Sequence, residues 1–313
     1  VPPSFTVLPV ANNIDCVRSV FTADIDDDGD IDVVSSSYAD DSVRWHENLG
    51  GNTPKFTTRL ISGADGGPYA VYAADMDGDG DTDVLSTSVD NIGDVSWHEN
   101  DGAGAMGGTP QFTSHTIDPQ FNTPTAVVAA DFDGDGDMDV VAGSGFGGGL
   151  RFYESDGAPS PTFATRVLLS TPGRMKSAVV ADLDGDADPD LVTTWSVAEN
   201  VIRWHENVGG SPVEFLTHEV FVGGQMPHTA VVADLDGDGD ADVASGSSDD
   251  GVFRWHESLI PASLSSGAVL TSGGSIVNAA PIRLVNASIV SAGGFHNVRK
   301  FDGYGLIEAD TVN

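Results

Sequence analysis

Five aspartate-rich segments carry most of the chemistry open to this chain. They read ADIDDDGDIDVV from Ala23, ADMDGDGDTDVL from Ala74, ADFDGDGDMDVV from Ala130, ADLDGDADPDLV from Ala181 and ADLDGDGDADVA from Ala233. In a loop of this form the aspartates at positions 1, 3, 5 and 9 can turn toward one cation, while position 7 offers its backbone carbonyl. Glycines at positions 4 and 6 allow the positive φ that wraps the chain around an ion. Hard oxygen donors in that number suit Ca2+; Mg2+ keeps its waters, and Zn2+ asks for His or Cys. Without a cation, carboxylates this close oppose one another's ionisation.

The side-chain ligands expected are Asp24, Asp26, Asp28 and Asp32 in the first loop, and Asp75, Asp77, Asp79 and Asp83 in the second. They are Asp131, Asp133, Asp135 and Asp139 in the third, Asp182, Asp184, Asp186 and Asp190 in the fourth, and Asp234, Asp236, Asp238 and Asp242 in the fifth. Backbone carbonyls would come from Asp30, Asp81, Asp137, Asp188 and Asp240, giving about five Ca2+ per chain. Two loops depart from the pattern: Asp27 stands at position 4 of the first, and Ala187 at position 6 of the fourth, two residues before Pro189. Alanine at positive φ is strained, so the fourth site is expected to be the weakest.

The loops recur at spacings of 51, 56, 51 and 52 residues. A second signature follows each one: VRWHEN at Val43, VSWHEN at Val95, LRFYES at Leu150, IRWHEN at Ile202 and FRWHES at Phe253. A third is FTVLPV at Phe5, FTTRLI at Phe56, FTSHTI at Phe112, FATRVL at Phe163 and FLTHEV at Phe215. Each unit reads as four short strands: a small apolar run before the aspartates, a β-branched run after them, the WHEN strand and the FT strand. Gly, Asp, Asn and Pro mark the turns between them. No helical apolar period interrupts this, so the chain is all-β.

Four strands repeated at this length predict a β-propeller of four-stranded blades. Alanine precedes every first aspartate, which suits an inner strand crowded near an axis, and Trp45, Trp97, Phe152, Trp204 and Trp255 are expected to pack between blades. The fifth unit lacks an FT strand, whereas the chain opens with an unpaired one at Phe5. Five blades over residues 1–258, closed by that N-terminal strand, would remove two open sheet edges.

The formal charge is −35, with 13 Lys and Arg against 48 Asp and Glu. The loops hold 26 of those acids, leaving 22 against the 13 bases. The extreme acidity is therefore mostly a property of the loops, and it argues against nucleic acid or an anionic membrane as partner. No apolar run is long enough to span a membrane. Cys16 stands alone, so no internal disulfide forms, and it is expected to be a packed thiol. The chain opens at Val1 rather than Met, as removal of a signal peptide, or trimming of the chain, would leave it.

These motifs resemble the FG-GAP/VCBS repeats of calcium-binding β-propellers, a class that includes integrin α-subunit heads and propeller lectins. The resemblance covers residues 1–258. It implies a structural Ca2+ in each loop, an extracellular or cell-surface location, and an adhesive, recognition or structural-assembly role. The ligand would be a glycan or an extracellular protein. The alternative is a glycan-binding lectin or an accessory domain of a carbohydrate-active enzyme.

Six residues before each first aspartate stand Arg18, Tyr69, Thr125, Lys176 and His228. By symmetry they should ring the mouth of the central channel. They differ from one another within an otherwise repeated frame, as ligand-contacting residues do. His46, His98, His205 and His256 recur one per blade and read as exposed strand histidines, too far apart to share a metal. No Ser-His-Asp, Cys-His or zinc motif appears and most paired carboxylates belong to the loops, so no enzyme is expected.

Residues 259–313 leave the repeat. They read as a linker and a β-rich appendage, with a degenerate sixth blade or a docking segment for other subunits as alternatives. Asn286-Ala287-Ser288 is the single N-glycosylation sequon.

Overall fold

The computed structural model describes residues 7–258, apart from 52, 64–65, 91–92, 103–108, 211 and 224–225, together with four short strands between 269 and 296. Two compact units divide the chain. The first comprises Val1–Ala181, Asp188–Ala230 and Ser245–Phe253, and the second Asp182–Ala187, Val231–Ala244 and Arg254–Asn313.

The first unit contains four complete blades. The first blade is β1 (Val17–Ala23), β2 (Asp32–Ser37), β3 (Ser42–Asn48) and β4 (Phe56–Gly63). The second is β5 (Pro68–Ala74), β6 (Asp83–Ser88), β7 (Asp94–Asn100) and β8 (Phe112–Asp118). The third is β9 (Pro124–Ala130), β10 (Asp139–Ser144), β11 (Leu150–Ser155) and β12 (Phe163–Leu169). The fourth is β13 (Arg174–Ala181), β14 (Asp190–Ser196), β15 (Val201–Asn207) and β16 (Phe215–Val222). In each, neighbours in sequence pair as neighbours in an antiparallel meander, as the four-strand reading predicts. A fifth, three-stranded sheet follows from β17 (Pro227–Ala233), β18 (Asp242–Ser247) and β19 (Phe253–His256). The fold is that of repeated propeller blades. The expected closing strand begins at Phe5, outside the described residues, and Val7–Val10 lie in no strand.

In the first unit the innermost strands stand side by side, β1 against β5, β5 against β9 and β9 against β13. The apolar core lies between successive blades rather than within one. Ile25, Val34, Val43 and Trp45 of the first blade pack on Val71 and Val84 of the second. Met76, Leu85 and Trp97 of the second meet Phe121, Val140 and Tyr153 of the third. Phe132, Val141 and Phe152 of the third meet Met175, Leu191 and Trp195 of the fourth. Each such fully buried side chain contributes about 1.5–3 kcal/mol. Trp45, Trp97 and Phe152 thus pack as expected, whereas Trp255 is 49% exposed.

Two expectations are corrected. Cys16 is exposed, because it sits at a left-handed turn (φ 59°) before β1 rather than in the core. His46, His98 and His205 are buried. Strand three lies between strands two and four, and a hydroxyl on each neighbour meets each imidazole nitrogen. His98 Nε2 is 2.8 Å from Ser86 Oγ and its Nδ1 2.8 Å from Ser114 Oγ. Ser35 and Thr58 flank His46 likewise, and Thr193 and Thr217 flank His205. Hydroxyl partners on both sides remove the ring's need for water.

Beyond residue 258, β20 (Val269–Ser272) pairs in parallel with β22 (Ser288–Ser291), and β21 (Ile276–Val277) with β23 (Phe295–His296). Parallel pairing sets these strands apart from the antiparallel blades. The sequon residues Asn286 and Ala287 lie outside the described residues.

Candidate metal centres and the inner cavity

The aspartate loops join the first and second strands of the blades, and each aspartate position does a different job. Position 1 folds the loop. Asp75 Oδ1 accepts from Gly78 N at 2.8 Å and its Oδ2 from Gly80 N at 3.1 Å. Asp131 does the same with Gly134 and Gly136, Asp182 with Gly185 and Ala187, and Asp234 with Gly237 and Gly239. Positions 4 and 6 both have positive φ in every loop, including Asp27 (57°) and Ala187 (77°), where glycine is replaced. The strain anticipated at Ala187 is present.

Position 2 is an apolar plug in the first three loops, whereas Leu235 of the fifth is 48% exposed. Ile25, Met76 and Phe132 are each 2% exposed and anchor their loops between blades. Position 9 opens strand two and is almost fully buried. Asp32 Oδ2 accepts from Ile25 N at 3.1 Å and from Trp45 Nε1 at 2.8 Å, while Oδ1 accepts from Asn48 N at 2.6 Å. Asp83, Asp139 and Asp190 likewise accept from the backbone of Asn100, Ser155 and Asn207. This carboxylate ties loop, second strand and third strand together.

Position 7 turns its side chain away. Asp30 and Asp81 lie against Gly50 and Gly102, just past strand three, where a β-carbon would collide with the carboxylate. The backbone of position 7 is what remains to face the loop.

Carboxylate oxygens of Asp24, Asp26 and Asp32 lie within 4.8 Å of one another, as do those of Asp75, Asp77 and Asp83, of Asp131, Asp133 and Asp135, and of Asp234, Asp236 and Asp242. Position 5 joins the triplet only in the third loop. In that loop as in the first, second and fifth, the position 5 carboxylates of Asp28, Asp79, Asp135 and Asp238 accept from the amide two residues on. Asp26 Oδ1 and Asp240 Oδ1 are buried acceptors with no hydrogen-bond donor. Burial first, then the charges of Asp28, Asp32, Glu47 and Asp24, push Asp26 up to about 6. Burial likewise pushes Asp83 and Asp139 up to about 7. Three converging carboxylates, with a buried oxygen lacking any donor, fit a hard cation.

The repeat that carries these loops has a known counterpart. The FG-GAP-like repeat family matches at residues 24–86, 75–142 and 131–193, which together span more than half of the 313 residues. The chain belongs to this family. Each match runs from one aspartate loop through the next, so the family's repeat and the blade built here share one period. The FG-GAP loops at Asp24, Asp75, Asp131 and Asp182 fall within the matched residues, and the loop at Asp234 lies beyond them.

Among solved structures, the chain is similar to an Agrocybe aegerita lectin described for specific recognition of non-reducing terminal N-acetylglucosamine. That likeness has 19% identity and a TM-score of 0.49, covering 72% of this chain and 59% of that one. It is also similar to the V. cholerae biofilm matrix protein Bap1, at 19% identity and TM-score 0.42 over 80% of this chain and 36% of that one. A third is the Chaetomium thermophilum Nup170 N-terminal domain in complex with Nup53, at 8% identity and TM-score 0.45 over 88% and 43%. The chain spans less than two thirds of each of these proteins. No curated protein matches.

The second candidate region lies among the inner strands of the FG-GAP blades. A cavity of about 490 Å³ is bounded by β1, β5, β9, β13 and the first half of β17, and Thr125 and Lys176 are on its wall. The guanidinium of Arg18 lies 5.3 Å from the ring centre of Tyr38 and 5.6 Å from that of Tyr69. His228 is exposed. Arg18, Tyr69, Thr125 and Lys176 sit at an irregularity that sequence reading missed. Val17 pairs with Ser37 and Ser19 with Ser36, leaving Arg18 as an extra residue in β1. Thr125 is skipped in the same way in β9 and Lys176 in β13, and β5 shifts register across Tyr69. A bulge re-aims the side chain it carries.

Proposed function

We propose that this chain is an extracellular, calcium-binding FG-GAP repeat protein that serves as a non-catalytic module for adhesion, recognition or structural assembly. The observation that carries the reading is the buried Asp26 Oδ1, an acceptor without a donor inside a carboxylate triplet, in a loop repeated blade after blade. Calcium would supply the missing positive charge and cancel the mutual repulsion of the triplet. The residues that would hold it are the aspartates at positions 1, 3 and 9, with position 5 and the position 7 carbonyl completing an oxygen shell.

The chain's own bonds then do the structural work. Position 1 shapes the loop through its two amides, and position 9 passes the loop's geometry to strands two and three. The ion stabilises a turn whose apolar plug at position 2 is part of the core between blades. Recognition at the blade surface would therefore depend on calcium through rigidity rather than through contact with the ion.

An extracellular setting is supported by the charge, since millimolar calcium is available there to loops holding 26 aspartates. The non-catalytic reading is consistent with the inner cavity, whose walls, among the described residues, present no carboxylate pair. Elemental analysis after dialysis against millimolar calcium tests the assignment. Four to five equivalents per chain are expected, and fewer than about two would refute the repeated site.

A further inference from the structure

The wall of the inner cavity has an unusual composition for this protein. The chain carries a formal charge of −35, yet among the described residues no Asp or Glu lines the cavity and one base does, Lys176. Hydroxyl residues Ser19, Thr125, Ser177 and Thr229 share its level, five or six residues before their loops, and most of the remaining wall is apolar, with Val128, Val179 and Val180. Thr125 Oγ1 donates to Met175 O at 2.9 Å and Ser177 Oγ accepts from Ala230 N at 3.2 Å, so part of this rim is fixed by bonds between blades.

Lys176 is the bulged residue of β13: Met175 pairs with Trp195 and Ser177 with Thr194, leaving it outside the ladder. Among the described residues its ammonium has no hydrogen bond and no ion-pair partner. Burial and then Arg174 hold its pKa below the ordinary lysine value, with no carboxylate opposing them. A half-desolvated amine without a counter-ion gains from any anion that reaches it.

We propose that the inner cavity binds a small organic monocarboxylate, with Lys176 as its counter-ion and the hydroxyl rim and apolar wall holding the rest of the molecule. This deepens the recognition role proposed above by naming a ligand class. A volume of about 490 Å³ lies in the range of small-molecule sites. One ammonium matches one negative charge, and a dianion such as sulfate meets the protein's negative field with twice the repulsion. A cation would find no carboxylate among the described residues of this wall.

The chain has only three lysines, Lys55, Lys176 and Lys300, which makes the test direct. Reductive 13C-dimethylation keeps each amine cationic and gives one methyl signal per lysine, with Lys176 assigned from Lys176→Met. The labelled protein in millimolar calcium is titrated with sodium glucuronate, glucose or sodium sulfate at constant ionic strength. The expected result is a saturating shift of the Lys176 signal with glucuronate, no shift with glucose and a weaker one with sulfate. Lys176→Met should weaken glucuronate binding about tenfold, and Lys176→Arg should largely restore it. A Lys176 signal that moves no further than that of Lys55, or that answers sulfate as well as glucuronate, overturns the site. A flat titration in a protein still stabilised by calcium removes this proposal alone. A saturating shift in a protein indifferent to calcium would keep the site and remove the metal reading.

Discussion

Asn100 Nδ2 in the second blade donates a 2.8 Å hydrogen bond to the carbonyl of Ile25 in the aspartate loop of the first. The same amide reaches Thr82 O in its own loop at 3.0 Å, so one side chain joins two successive loops. Asn207 repeats this, binding Phe132 O at 2.7 Å and Pro189 O at 3.2 Å. Asn48 makes the bond within its own loop, to Ile31 O.

Asn100→Ala should cost about 1–3 kcal/mol, because it leaves the buried Ile25 carbonyl without its donor. Asn48→Ala should cost less, since its amide serves one loop only. Urea denaturation of the two variants checks the ranking, and equal losses would mean that the link between blades contributes nothing.

The position 9 aspartate should behave unlike position 5. Asp32 accepts three protein donors whether or not an ion is present, so Asp32→Asn should already lower stability by about 1–3 kcal/mol in chelator, and by more in calcium, where a ligand is lost as well. Asp28 is exposed and should matter only to the ion. Asp28→Asn should reduce the increment that calcium adds and leave the metal-free protein unchanged. Melting curves of both variants in each buffer separate the two roles.

The buried histidines set an acid limit. Burial holds His98 down at about 4 and His205 at about 3, against an ordinary value near 6.5. A depressed imidazole favours the folded state while neutral. Its contribution is therefore whole above about pH 6.5 and is lost as pH falls toward 4 and then 3. In millimolar calcium, wild type should lose a few kcal/mol across that window, and His98→Gln should show a shallower slope. Parallel slopes for the two proteins would contradict this.

Ala187 occupies a left-handed position (φ 77°) that glycine fills in the other loops. Ala187→Gly should stabilise the protein by about 1 kcal/mol and tighten the last calcium ion to bind. Calcium titration followed by calorimetry reads both effects.

The parts of the site legible in the sequence are those set by local geometry. Aspartate spacing, glycine at positions 4 and 6 and the four-strand period all act within one unit, and five copies confirm one another. The buried histidines were hidden because alternation along a strand cannot distinguish a polar residue facing water from one held between Ser86 and Ser114. The bulges at Arg18, Thr125 and Lys176 were hidden because register needs the partner strand. The Asn100 link crosses 75 residues of sequence and connects blades whose contact no local pattern records.

The central claim is that cations held by the aspartate loops stabilise the blades. Its most direct test is the melting temperature of the intact chain in millimolar calcium and again after exhaustive EDTA. Several sites loaded well above their dissociation constants should make the difference ~10 °C or more. A melting temperature unchanged within about 1 °C would contradict the account.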